Sequence, residues 1–107
     1  MQNICGFDIE DYKKISGKYK IIDKNGFGKE YELDTNILIF EGEYLNGKRN
    51  GKGKEYDDGK LEFEGEYLND KRYGKGKEYF STSFGPSLSF EGEYFKGKRH
   101  GKGKEYI

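Results

Sequence analysis

FEGEYLNGKRNGKGKEY, residues 40–56, returns almost verbatim as FEGEYLNDKRYGKGKEY (63–79) and FEGEYFKGKRHGKGKEY (90–106). A worn copy, ISGKYKIIDKNGFGKEY, precedes them at residues 15–31, so the four start points lie 25, 23 and 27 residues apart. A chain built from one recurring unit is normally an extended scaffold, because each unit buries its apolar side only against its neighbours. Within one copy Phe40, Gly42 and Tyr44 alternate with Glu41 and Glu43. That period of two marks a strand, and aromatic residues suit a pleated surface. Residues 46–51 are rich in turn formers, and GKGKEY then alternates glycine with lysine as a second strand. Each copy therefore reads as a β-hairpin. Centred on Lys48 and Arg49, it sets Tyr44 opposite Gly53 and Glu43 opposite Lys54. That register gives a ring room over a glycine and places opposite charges across the ladder, at up to ~1 kcal/mol per pair.

The links between copies are turns as well. Asp57-Asp58-Gly59-Lys60 contains the Asp-Gly pair of tight hairpins, and residues 84–87 form a longer loop holding the one proline, Pro86. The expected fold is all-β: a single elongated, twisted antiparallel β-meander of tandem hairpins. Residues 1–14 form an N-terminal cap, of which 8–15 read as a turn of helix or a capping strand. Residues 15–107 form an array of four repeats (15–39, degenerate, then 40–62, 63–89 and 90–107). Eight or nine strands at ~4.8 Å spacing give a sheet about 40 Å wide. One face carries Phe40, Phe63 and Phe90 with Tyr44, Tyr67 and Tyr94. The other carries Glu41, Glu43, Lys52 and Lys54 with their equivalents. The hairpin tips line one edge with Lys48-Arg49, Lys71-Arg72 and Lys98-Arg99.

At 107 residues the chain is one small domain, and its 37% charged content alone would suit disorder. Ten tyrosines, eight phenylalanines and 17 glycines recurring in register argue instead for a folded array. Twenty basic side chains balance twenty acidic ones, so no global field draws the protein to nucleic acid. The lone Cys5 has no intrachain partner, which fits a reducing compartment. The first residues hold no apolar signal core, and no stretch approaches the ~20 apolar residues of a membrane span. Gln2 is incompatible with N-myristoylation. A cytoplasmic protein is the expectation, peripheral at a membrane in one of the readings below.

Aromatic-Glu-Gly-Glu-aromatic, then Asn-Gly-Lys-Arg, then Gly-x-Gly-x-x-Tyr, resembles the MORN repeat (membrane occupation and recognition nexus) over residues 15–106. In the first copy Ser16-Gly17-Lys18 and Asp23-Lys24 stand where the others have Glu-Gly-Glu and Lys-Arg. The resemblance implies an elongated twisted sheet with one hairpin per repeat. It also implies scaffolding, dimerisation and attachment to membranes or their phospholipids.

Three functional readings follow. In the first, a non-enzymatic module binds a protein partner, or a second copy of itself, through the aromatic face formed by Phe40, Tyr44, Phe63, Tyr67, Phe90 and Tyr94, or through the terminal strand edge. Contiguous exposed apolar area of that size usually marks an interface. In the second, a peripheral adaptor meets anionic phospholipid headgroups through Lys48, Arg49, Lys71, Arg72, Lys98 and Arg99, at ~1 kcal/mol per basic residue near a charged leaflet. In the third, the chain targets or regulates a separate enzyme. No catalytic, cofactor or metal site is expected. His100, the one histidine, occupies a variable turn position shared with Asn25, Asn50 and Tyr73. The Gly-x-Gly-Lys strings lack the strand-to-helix setting and the Lys-Ser/Thr of a phosphate loop.

Overall fold

The computed structural model describes the backbone of residues 8–15 and 17–106 and the side chains of residues 17–106. Cys5 and residues 1–7 of the cap lie outside the described residues. The rest forms one open sheet of nine strands in chain order, every neighbouring pair antiparallel. The strands are β1 (Asp8–Ile15), β2 (Lys18–Ile22), β3 (Phe27–Glu32), β4 (Leu38–Leu45), β5 (Lys48–Asp57), β6 (Lys60–Leu68), β7 (Lys71–Thr82), β8 (Gly85–Phe95) and β9 (Lys98–Glu105). Residues 8–15 thus form a strand rather than a helical turn. The molecule measures 47 × 31 × 23 Å, as an elongated meander requires.

The hairpin register differs from the one read in the sequence. Leu45 pairs with Lys48 and Tyr44 with Arg49, so the turn is the two-residue Asn46-Gly47. Asn46 (φ 53°) and Gly47 (φ 79°) are both left-handed, the conformation whose twist matches that of the flanking strands and for which Asn-Gly is the favoured pair. Asn69-Asp70 and Lys96-Gly97 turn the same way in the later copies. A bulge between Gly42 and Tyr44 then restores Gly42 opposite Gly53, Glu41 opposite Lys54 and Phe40 opposite Glu55. Glu43 therefore does not face Lys54; its carboxylate instead accepts the Lys52 backbone N–H at 3.0 Å within the bulge. Asn50, Tyr73 and His100 belong to strands, not turns. The first copy is shorter than its alignment suggested. Lys20, not Ile15, sits opposite Glu30, and Ile22 opposite Gly28. Gly17 lies in the turn between β1 and β2, and the hairpin turns at residues 23–26.

In the last three copies the error shifts pairing by an even number of residues, so each side chain keeps its expected face. The odd shift from Ile15 to Lys20 instead puts Lys20 and Ile22, rather than Tyr19, on the ring face of the first copy. Phe40, Phe63 and Phe90 share a face with Tyr44, Tyr67 and Tyr94, and all six are buried. A single-layer sheet has no second layer to cover such rings, and this one covers them from within. The tip of each Phe ring rests against glycine: a Cβ on Gly53 would come 2.4 Å from the Phe40 ring, and one on Gly76 equally near Phe63. Tyr44 meets Phe40 edge-on at 5.7 Å, and Tyr67 of the next repeat does so from the other side at 5.1 Å. Phe63 sits likewise between Tyr67 and Tyr94. Edge-to-face pairs contribute about 0.5–1.5 kcal/mol beyond area burial. The lid is a guanidinium: Arg49, Arg72 and Arg99 lie 4.1, 4.0 and 3.9 Å above the rings of Phe40, Phe63 and Phe90.

Candidate functional site

Strand alternation separates each Lys-Arg pair. Neighbours on a strand point to opposite faces, so Arg49, Arg72 and Arg99 fold over the rings while Lys48, Lys71 and Lys98 are exposed beyond the turns. The arginines are anchored by glutamates of the preceding repeat. Glu30 accepts two hydrogen bonds from Arg49, at 2.9 and 2.8 Å, and one from the Tyr44 hydroxyl at 2.6 Å. Glu55 accepts from Arg72 and from Tyr67, and Glu78 from Arg99 and from Tyr94. The basic edge expected at the tips is therefore half its apparent size, with three lysines free and three arginines bound into the core. These glutamates were missed in the sequence. The signal was present, since each stands two residues after a glycine that faces the rings and so shares their face.

Burial, the strongest influence on Glu30 and Glu55, pushes their carboxyls up, but the hydrogen bonds and charge of the arginines and tyrosines outweigh it, and both stay below their ordinary value of 4.5. Glu78 is held down first by its Arg99 hydrogen bonds. A depressed folded value means that this stability is complete above the unfolded value and is lost as pH falls below it. The thermal midpoint should hold steady from neutrality to about pH 5 and fall steeply below about 4.5, with a shallower fall in Glu55→Gln. Circular dichroism melts across that range check this, and equal slopes in the two proteins would refute it.

The opposite face is concave. A trough of about 1070 Å³ crosses from Phe27 on β3 to Lys104 on β9, floored by glycine backbone and lined by Glu and Lys. Lys29, Glu41, Lys54, Glu64, Lys77, Glu91 and Lys104 oppose one another strand by strand, so charge alternates at every step. Lys52 opposite Glu66 and Lys75 opposite Glu93 form a second such row. The glutamates of the first row are held by tyrosine: the hydroxyls of Tyr56, Tyr79 and Tyr106 donate to Glu41, Glu64 and Glu91 at 2.5, 2.7 and 3.2 Å. Partial burial and then the adjacent carboxylate push Tyr56 and Tyr79 up to about 12. Among the described residues every ion pair is made by an arginine, so the lysines of the trough are unpaired. Along the hairpin-tip side of the same face, Leu45, Leu68 and Phe95 are 58%, 44% and 45% exposed. Phe95 also contacts Tyr73 and His100, with ring centroids 6.4 and 5.4 Å apart. None of these features was read from the sequence as a site.

Among the described residues no group of three or more His, Cys, Asp and Glu is placed to hold a metal ion. No helix there is long and apolar enough to cross a membrane. One open sheet, assembled from a hairpin that hands its glutamate to the next hairpin's tyrosine and arginine, defines a repeat protein of the scaffold and interaction class. The MORN repeat family model matches residues 40–60, 63–83 and 90–107, more than half of the sequence, and the chain belongs to that family. The first hairpin, β2–β3, lies outside the matches. No curated protein matches the chain.

Proposed function

We propose that this chain is a non-enzymatic MORN-repeat module that binds a segment of a partner protein in the Glu/Lys trough. The observation that carries this reading is the division of labour between the faces. The six aromatic residues and three arginines hold the sheet together, while the trough presents unpaired lysines across β5 to β9. A binding surface needs groups not already spent on the fold, and the trough has them. The phospholipid reading rests on Lys48, Lys71 and Lys98 alone, roughly half the basic charge it would need for attachment at ~1 kcal/mol per residue.

Two variants separate these readings: Lys54→Glu with Lys77→Glu in the trough, and Lys48→Ala with Lys71→Ala and Lys98→Ala at the tips. Each is compared with the native protein for proteins captured from a cell extract and for sedimentation with anionic vesicles. The expected result is a partner lost with the trough variant and kept with the tip variant, with no vesicle binding. A partner indifferent to the trough charges would remove the trough as its site, and vesicle binding abolished at the tips would replace this reading with the membrane one.

A further inference from the structure

We propose that the trough takes an α-helix laid across the strands, its contact face alternating acidic and basic residues at successive turns, with one apolar residue in seven. The inference rests on the trough being the binding surface and names the chemistry of its occupant. The ladder from Lys29 to Lys104 reverses sign at every strand, and strands stand about 4.8 Å apart. A bound chain must therefore reverse sign with that step. An α-helix advances about 5.4 Å per turn, close to one turn per strand. Over the six steps of the ladder the drift is about 4 Å, within the swing of lysine and glutamate side chains. An extended segment shows same-face residues about 6.8 Å apart and drifts about 12 Å over the same six steps, more than two sign reversals.

The second dimension agrees. Leu45 stands four residues along its strand from Glu41, about 13 Å away, and a helix with its side chains is about 10–12 Å across. Such a helix lies over the Glu43 and Lys52 positions, with the charge ladder on one flank and the row of Leu45, Leu68 and Phe95 on the other. That row recurs every second strand, about 9.6 Å, and seven helical residues span about 10.5 Å. Charge and apolar period thus require the same occupant.

The test uses three labelled synthetic peptides of about 20 residues. One alternates Glu and Lys at successive turns with a leucine at every seventh position. The second has the same composition with its charges grouped by sign, and the third is the first with a central proline that breaks the helix. Fluorescence anisotropy with the full chain, at low and near-physiological salt, gives affinity, and circular dichroism gives helix content. The alternating peptide should bind about tenfold or more tighter than either other peptide, gain helicity on binding, and lose that advantage to Lys77→Glu. Equal affinity for the alternating and grouped peptides, or no binding by any of them, overturns the proposal. Tight binding of the proline peptide that is lost in Lys77→Glu overturns the helix while leaving the trough as the site.

Discussion

Replacing Gly65 with alanine should destabilise the protein by about 3 kcal/mol, lowering its midpoint by 10 °C or more for a chain of about this size. The new Cβ would lie 2.6 Å from the Gly76 Cα and the Lys75 carbonyl oxygen, and 2.8 Å from the tip of the Phe63 ring. Two of those neighbours are backbone atoms of the paired strand β7 and cannot withdraw without opening the ladder. The third is a fully buried ring with no room to turn. Alanine elsewhere in a strand stabilises by about 0.4–1 kcal/mol, by narrowing the unfolded ensemble. Overpacking by more than half an ångström exceeds that gain several-fold. The control is Gly97→Ala. Its turn has φ 85° but nothing within 4 Å of a new Cβ, so it loses only the left-handed preference, about 1 kcal/mol. Urea unfolding followed by circular dichroism measures both. A Gly65→Ala protein within about 0.5 kcal/mol of the native one would show that the rings do not rest on the glycine row.

The repeat, the strand periods and the two faces were legible because they depend only on spacing along the chain. Face assignment survived a wrong register in the last three copies because the Asn46-Gly47 turn and the bulge after Gly42 displace pairing by even steps. The fate of the Lys-Arg pairs was legible in part. Alternation alone separates Lys71 from Arg72, and reading the pair as one basic patch overlooked it. What holds Arg72 was not legible, since Glu55 reaches it only once β5 and β6 pair in the observed register. Nor was the trough, because concavity arises from how the strands twist in three dimensions and leaves no period in the sequence. The first copy misled for a chemical reason. Lys20 fills the place of Phe40, with its ammonium donating to the Gly47 carbonyl and lying 5.4 Å from the Tyr44 ring. Lysine thus occupies the position that phenylalanine holds in the sibling copies.

The separation of Lys from Arg should produce a difference of about 3 kcal/mol between adjacent residues. Arg72→Ala removes the cover over Phe63 and leaves Glu55 with Tyr67 and the more distant Arg49 at 3.7 Å. Both partners are about four-fifths buried, 22% and 20% exposed. Removing one member of a buried pair costs about 3–5 kcal/mol, because the other keeps its desolvation without its counter-charge. The residual exposure sets the expectation near the lower end of that range. Lys71→Ala, one residue earlier and solvent-exposed, should lie within about 0.5 kcal/mol of the native protein. The same substitution across the array should be graded: Arg49 is 16% exposed, Arg72 22% and Arg99 45%, so Arg99→Ala should cost roughly 1 kcal/mol. Glu55→Ala should match Arg72→Ala, and the double variant should cost little more than either single one, since removing both charges leaves none stranded. Additive losses in that cycle would mean that the two side chains act separately. An Arg72→Ala effect no larger than that of Lys71→Ala would return the arginines to the free basic edge and reopen the tips as an anion-binding surface.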